Sequence, residues 1–316
     1  MGIAFGALYF FGKGKLNKVV VGIGLTALVF IDLIGVDLRY LNHEKYVAKE
    51  EFDQYFVPTP EDAEIKKDTG YYRVYNASDG SPFALSGATS RTSYLHNNIG
   101  GYHPAKLALY NDLLSEIGKG NMAVLNMLNT KYIILSNPQT GKPFLRPNPE
   151  ALGHAWFVSA IRYVNNADEE MKALDPFNPR DTAVADKREQ SKLIYAPQKD
   201  STAKITLIEH RNDVISYRSS ATSNGIGVFS EIYFPHGWKA TIDGKETPIA
   251  RVDYVLRALS IPAGEHTIEF RFEPESFVIG DRISLIVGVI SILILLYGAF
   301  VFGRKYQREN AQVAKK

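Results

Sequence analysis

The sequence contains no cysteine, and this absence removes several kinds of chemistry at once. Disulfides, thiolate nucleophiles, thiolate metal sites and iron–sulfur clusters are excluded, because each requires a cysteine sulfur. The redox compartment stays undetermined, since exported bacterial proteins often lack disulfides. The stability of the fold must therefore come from packed cores.

The sequence also lacks an excess of basic over acidic residues, or of acidic over basic ones. Lys and Arg together number 36 and Asp and Glu 34, which gives a formal net charge of +2. Nucleic acid is therefore not an expected partner, because its binding requires a basic surface. The common hydrolase, phosphate-loop and paired-histidine metalloprotease motifs are also absent from the sequence. We expect no cofactor and no metal site.

Long apolar runs are present, although the mean hydropathy of −0.13 hides them. Residues 283–302 form an uncharged run of about 20 residues, the length at which an α-helix crosses about 30 Å of hydrocarbon. Residues 19–36 are nearly as long and predict a second transmembrane helix; a signal peptide would have a shorter apolar core and a cleavage site. Residues 1–11 are apolar but too short to span, which predicts a partial transmembrane helix.

Basic residues flank these runs on one side of the membrane. Three lysines precede the run at 19–36, and the tail at 303–316 is again basic. By the positive-inside rule both flanks are cytoplasmic. Residues 37–281 are then outside the cytoplasm, and we expect a multi-pass protein of the inner (cytoplasmic) membrane.

The outside segment divides into two parts by its periodicity. Residues 42–150 alternate helical patterns with short strand patterns and predict a mixed α/β unit. Residues 156–275 show a period of two, with turn residues at regular spacing, and predict a β-sandwich. Within it, Asp243-Gly244 between two strand patterns indicates a tight hairpin turn. The expected fold class is α+β with transmembrane helices flanking these two parts.

The densest group of reactive side chains lies at residues 93–110, just before a predicted helix. Imidazoles, amides and a lysine could converge there on a phosphate or sugar. Lys131, where a helix passes into a strand, could add an anion contact. The alternative is a loop tied down by its own hydrogen bonds. The candidate substrate-binding residues are His96, Asn97, Tyr102, His103, Lys106 and Lys131.

A second candidate surface is aromatic. Tyr233 and Trp238, followed by Asp243, could bind a glycan, because aromatic faces stack on sugar rings and carboxylates accept from hydroxyls. The competing interpretation is that these aromatic residues belong to the core of the sandwich, and we expect Trp238 and Asp243 to be structural.

Several strings together resemble the C-terminal part of the YfhO family of bacterial membrane proteins. They are DLRYLN at 37–42, IGGYHPAKLALYNDL at 99–113, NMAVLNMLNTKYII at 121–134, NPEALGHAWFV at 148–158 and FPHGWKATIDGKETPIARVDYVLRALSIPAGEHTIEFRFEP at 234–274. The resemblance covers nearly the whole chain but only the C-terminal fraction of a typical member, which has further spanning helices before it.

The family in turn resembles C-type glycosyltransferases. That resemblance implies a polyprenyl-phosphate-linked sugar donor and a cell-envelope polymer as acceptor. Its catalytic acid lies in an early loop, so the catalytic residues of this chain stay unknown and the chain alone is not expected to catalyse. The alternative is a non-catalytic membrane-anchored envelope module that binds glycan or a protein partner.

Overall fold

The computed structural model describes residues 2–78, 87–101 and 105–313, and side chains are described except at 87–90 and 305–313. The chain forms two compact units, Met1–Thr59 and Pro60–Lys316.

The first unit is helical. Its elements are α1 (Gly2–Gly12), α2 (Lys18–Tyr40), a short 3-10 helix (His43–Lys45) and α3 (Lys49–Tyr55). Asn17 caps α2, since its side chain accepts a hydrogen bond of 2.8 Å from the amide of Val19. The apolar side chains along α2 are largely exposed, Phe30 and Ile31 among them. Such a surface suits lipid rather than water.

The second unit contains all the strands that the structure describes. Its helices are α4 (Pro60–Ile65), α5 (Gly87–Leu95), α6 (Ala108–Gly118), α7 (Met122–Met127), α8 (Ala167–Lys172), a 3-10 helix (Lys187–Lys192) and α9 (Glu275–Val313). Its strands are β1 (Arg73–Asn76), β2 (Thr130–Ser136), β3 (Pro143–Pro147), β4 (Ala155–Val158), β5 (Ala160–Val164), β6 (Thr182–Asp186), β7 (Lys204–His210), β8 (Val214–Ala221), β9 (Gly225–Ile232), β10 (Trp238–Ile242), β11 (Lys245–Thr247), β12 (Ala250–Val252), β13 (Leu256–Ile261) and β14 (Gly264–Phe272).

Two of the sheets form the predicted sandwich. One has the order β11-β10-β14-β8-β7 and the other β12-β13-β9-β4. Side chains from both sheets meet in a single core, in which Tyr217, Phe229 and Phe270 are fully buried and pack edge to face. Asp243 and Gly244 both have positive φ in the β10–β11 hairpin, as predicted for this turn.

The other face of the four-stranded sheet is also covered. A second core joins residues of β9, β12 and β13 to helices α6 and α7 and to the β5–β6 pair. Strand β13 is therefore buried at every position, including Leu256 and Leu259. This explains why it has no alternating pattern in the sequence, since both of its faces meet apolar neighbours.

The segment that follows α4 builds a small sheet of order β1-β2-β3, in which β1 and β2 run parallel. The loop at 96–99 lies along the free edge of β1, where Val74 donates to the carbonyl of Asn97 and accepts from Ile99. Strand β5 was expected in the sandwich, but it pairs in parallel with β6 in a separate two-stranded sheet.

Two helices within the described residues are long and apolar enough to cross a membrane. They lie in Lys18–Lys45 and Glu275–Arg304, with mean hydropathies of 2.5 and 2.8. Both contain the runs predicted from the sequence. α9 begins only three positions after β14 ends, so the sandwich leads almost directly into the second candidate span.

Candidate functional site

His96 belongs to a buried ionic cluster. Its Nε2 lies 2.9 Å from a carboxylate oxygen of Asp62, and Arg91 donates to the other oxygen at 2.5 Å. The Asp62 side chain is 1% exposed and that of His96 is 5% exposed. A buried carboxylate needs such partners, because burying it alone is costly. His96 therefore holds the loop onto α4.

Asn97 also holds the loop in place, since its side-chain amide donates to the carbonyl oxygen of Tyr72, just before β1, at 3.4 Å. Tyr102 and His103, which we expected beside it, lie outside the described residues.

Lys106 lines a cavity of about 300 Å³ beside the N-terminus of α6. The walls are mainly apolar and include Ile99, Tyr110, Leu114 and Ile232. Tyr110 is fixed there by its hydroxyl, which donates to the carbonyl of Ile99 at 2.7 Å. Among the described residues, no carboxylate lies within ion-pair distance of the Lys106 ammonium.

Lys131 lies in a different place and forms an ion pair with Asp68. The Tyr132 hydroxyl donates to the same carboxylate at 2.9 Å. Lys131 and the amide of Gly70 hold the pKa of Asp68 below its ordinary value. The cation of Lys131 is thus engaged locally, and the structure does not bring it into the cavity lining beside Lys106.

The aromatic candidates do not form one patch. Trp238 is the first residue of β10 and Asp243 directly follows its last residue, so the two lie about 16 Å apart at about 3.3 Å per residue. Trp238 is half-buried, with the Arg257 guanidinium 4.1 Å from its ring centroid and the Phe272 ring at 5.2 Å. Asp243 accepts from the amide of Thr267 at 2.8 Å and pairs with His266.

Tyr233 is separate again, and its amide donates to the carbonyl of Val255 at 2.6 Å. The Lys192 ammonium lies 5.8 Å from the centre of its ring. Each of the three aromatic-surface candidates therefore has structural contacts of its own.

A charged cluster that the sequence analysis missed lies between the small sheet and the sandwich. Arg73 donates to the carbonyl oxygens of Leu128 at 2.8 Å and Ser230 at 2.7 Å, and lies 3.7 Å from the Glu231 carboxylate. His210 approaches the other oxygen of Glu231 at 3.4 Å. Burial alone would raise the pKa of Glu231, but His210 and Arg73 outweigh it and hold that pKa below its ordinary value.

Aromatic and cationic groups surround this carboxylate. Tyr71 stacks on the ring of His210 at 3.7 Å and faces His154 at 5.8 Å. Burial lowers the pKa of His154 and lowers that of Arg257 to about 10. Within the described part of the chain, the buried Nη1 of Arg257 makes no hydrogen bond. The ion pairs of this cluster join the small sheet to the sandwich, and structural networks of this kind perturb pKa values as active sites do.

The sequence does carry a signal for this cluster. Arg73, Glu231 and Arg257 are single charges inside runs that otherwise have strand composition. A charge at a strand position that is expected to be buried must find a partner. No group of His, Asp and Glu residues suited to a metal ion occurs among residues 2–78, 87–101 and 105–313.

Comparison with known proteins gives one match. Residues 187–284 match the family model described as "Bacterial membrane protein YfhO". No curated protein and no solved structure matches the chain. The matched segment covers about a third of the chain, from the 3-10 helix before β7 into the start of α9. Together with the two candidate spans, it identifies a membrane protein and confirms the resemblance to the YfhO family.

Proposed function

We propose that this chain is the part of a membrane protein that binds an anionic, lipid-linked sugar donor outside the cytoplasm, in a glycosyltransferase-like reaction. The observation that carries the proposal is the cavity beside Lys106, which combines apolar walls with the cation of that lysine. A polyprenyl-phosphate-linked sugar has the matching chemistry, an apolar chain next to a negative phosphate.

The position of the cavity supports this ligand. Ile232 lines the cavity and is the last residue of β9. A connection of five residues leads from it to Trp238, which pairs with Phe272 at the end of β14. α9 starts shortly afterwards. The cavity therefore lies at the end of the sandwich from which the candidate span leaves, where a lipid-linked group would arrive.

The helix beside the cavity adds to the attraction for a phosphate. α6 begins at Ala108, two residues after Lys106, and has 11 residues. The amides of its first turn carry a partial positive charge. Lys106 and the helix N-terminus would then act on the same anion.

The second candidate function is a non-catalytic envelope module that binds glycan or a protein partner. The ion pairing of the carboxylates favours this function, since Asp62, Glu231 and Asp243 each pair with a basic side chain. That arrangement is typical of structural ion pairs rather than of a catalytic acid.

The test is binding of a polyprenyl phosphate to the protein in detergent or nanodiscs, for wild type and for Lys106→Ala. Loss of a charge-assisted contact of about 1.5–3 kcal/mol should weaken binding about ten- to a hundredfold. The uncharged polyprenol should bind both proteins alike, because it has no group for the ammonium.

Lys119→Ala is the matched control, since Lys119 follows the C-terminus of the same helix and pairs with Glu116. It should leave binding unchanged. Equal affinity of wild type and Lys106→Ala, at equal melting temperature, would refute the proposed site. Binding of soluble glycan without any lipid phosphate dependence would support the envelope module instead.

A further inference from the structure

Strand β4 is an open edge of the four-stranded sheet, because it pairs with β9 on one side only. The amide of Ser230 donates to the carbonyl of His154 at 2.8 Å, which fixes the alternation of bonds along this pair. In an antiparallel pair every second residue bonds across, so Trp156 bonds toward β9 and the backbone groups of Ala155 and Phe157 point away from it. Among the described residues, no hydrogen bond reaches these outward groups.

The other edges of the two sandwich sheets are less open to further pairing. β11 and β12 have only three residues each, and the register of β7 shifts between Leu207 and Glu209. Short or irregular edges, and charged side chains on an edge strand, hinder the addition of another strand. β4 consists of four apolar residues in continuous register with β9, without a charge or a proline. It is therefore the edge best suited to accept a strand.

A cleft of about 400 Å³ opens onto this edge. One wall is β4 with Ser159, and another is formed by residues of the segment 198–205, which leads into β7. A residue in a sheet occupies about 160 Å³, given a rise of about 3.3 Å, a strand spacing of about 4.8 Å and a sheet spacing of about 10 Å. The cleft thus has room for about two or three residues of an extended chain, which matches the two outward positions of β4.

The cleft also presents lysines without acidic partners. The cations of its lining are Arg180, Lys199 and Lys204, and its carboxylates are Asp181 and Asp200. Arg180 lies 3.7 Å from the Glu150 carboxylate, which is not part of the lining. Lys199 and Lys204 are exposed and form no ion pair within the described part of the chain.

The two carboxylates are already used within the fold. Asp200 accepts four hydrogen bonds, from the amides and the hydroxyls of Thr202 and Thr222. Asp181 accepts from the side-chain amide of Asn178 at 2.6 Å. A chain that enters the cleft would therefore find two ammonium donors still able to bond, which favours acidic side chains next to its backbone.

We propose that the outward edge of β4 binds an extended, acidic peptide segment of a partner protein by strand addition. The peptide backbone bonds to Ala155 and Phe157, and acidic side chains reach Lys199 and Lys204. An extended polypeptide repeats a donor and an acceptor at every second residue, which is the spacing of the outward groups. A sugar chain has no such repeat. The site is separate from the cavity beside Lys106, since no residue lines both.

The test measures binding of a fluorescein-labelled hexapeptide of alternating glutamate and valine to the full chain in nanodiscs. The same peptide with N-methyl groups on its backbone amides should not bind, because it cannot donate to the edge. A hexapeptide of alternating lysine and valine should bind about tenfold more weakly or worse, since its charges face Lys199 and Lys204.

Variants of the chain locate the binding. Ala155→Pro removes one outward amide and keeps the bonds to β9, because proline is tolerated where the amide of an edge residue faces outward. It should weaken binding of the glutamate peptide up to about tenfold. Charge reversal by Lys199→Glu with Lys204→Glu should weaken it about tenfold or more. Lys245→Glu, at an exposed position of β11, and Lys106→Ala are the controls and should leave peptide binding unchanged.

Hydrogen exchange on the wild type gives a measurement that does not depend on the folding of a variant. With peptide bound, a fragment that covers β4 should take up about two fewer deuterons, those of Ala155 and Phe157. Failure of the glutamate peptide to bind, equal binding of the methylated peptide, or unchanged exchange at β4 would overturn the proposal. Binding of polygalacturonate in place of the peptide would also overturn it. So would slow exchange at β4 without peptide that is lost on dilution of the protein, since a second copy would then occupy the edge.

Discussion

Arg73 in β1 donates a hydrogen bond of 2.7 Å to the carbonyl oxygen of Ser230 in β9, which joins the small sheet to the sandwich. The same guanidinium faces Glu231, whose side chain is 10% exposed. The contact is reinforced from the other direction, because the Ser230 hydroxyl donates to the carbonyl of Met127 at 2.6 Å. These bonds between distant parts of the sequence fix the second unit as one structure.

Arg73→Met should destabilise this unit severely. The substitution leaves Glu231 buried with one fewer positive partner, a change that typically costs about 3–5 kcal/mol. Denaturant unfolding of the protein in detergent measures the loss. Arg146→Met is the control, because Arg146 is exposed on β3. Equal stabilities of the two variants would show that the Arg73 contacts contribute little.

His96→Ala should lower stability rather than act on binding alone. Asp62 is buried and loses the partner that its carboxylate has in His96, for which we expect a cost of about 1–3 kcal/mol. Lys106→Ala, in the cavity wall, should leave the melting temperature nearly unchanged. If His96→Ala kept full stability but lost ligand binding, His96 would belong to the ligand site after all.

Asp253 should make stability depend on pH. It is fully buried, and burial raises its pKa to about 8, whereas the unfolded chain has a pKa of about 4. Between about pH 4 and about pH 8 the folded state therefore holds a proton that the unfolded state releases. Stability falls with rising pH wherever the folded state binds more protons. This group should thus stabilise the fold fully below about pH 4 and lose its contribution through about pH 8.

Asp253→Asn removes the titration and preserves the backbone, since asparagine tolerates the positive φ of 48° at this position. Free energies of unfolding of wild type and variant, measured from pH 5 to about pH 8, should diverge as the pH rises, with the wild type losing more. If the free energies of unfolding of the two proteins changed in parallel with pH, the raised pKa of Asp253 would be contradicted.

His266 should titrate above an ordinary histidine. Its Nδ1 lies 2.6 Å from the Asp243 carboxylate, which raises the pKa of His266 and lowers that of Asp243. In Asp243→Asn the pKa of His266 should fall toward its usual value, and the hairpin should persist because Asn-Gly also suits this turn. Nuclear magnetic resonance titration of the imidazole measures both values. An unchanged pKa in the variant would show that the pair does not form in solution.

The orientation predicted from the flanking lysines stays a prediction and can be tested by cysteine labelling. An impermeant reagent added to intact cells should label Asn165→Cys but not Lys15→Cys or Lys305→Cys. The wild-type chain gives no background, since it contains no cysteine. Labelling at position 15 and not at 165 would reverse the topology.

Local patterns in the sequence were sufficient for much of the fold. The spans, helices α6 and α7, the sandwich strands with alternating burial and the Asp243-Gly244 turn were predicted, because each depends on neighbouring residues. Strand β13 was missed because it is buried on both faces and has no alternation. The placement of β5 with β6 depends on a partner about 20 residues away, which no local pattern specifies.

The candidate site was less predictable for a related reason. The group at 93–110 was singled out by its reactive side chains, yet the partner that decides the role of His96 is Asp62, 34 positions earlier. Sequence proximity made His96 and Lys106 look like one site, whereas their side chains meet different neighbours. Composition identifies which groups are chemically able to bind, and only the fold decides which of them have already been used for structure.

Because β14 leads almost directly into α9, a change in the tilt of α9 would rotate the sandwich as well. β14 has nine residues and is about 30 Å long at about 3.3 Å per residue. Transmembrane helices adjust their tilt to the thickness of the bilayer over a range of about 40°. Because the β9–β10 turn is seated at Gly237 against Pro274, a rotation of α9 by about 20° would be transmitted to the sheet and displace its far end, at Gly264, by about 10 Å. The thickness of the surrounding lipid would thereby shift the position of the distal loops over the membrane surface.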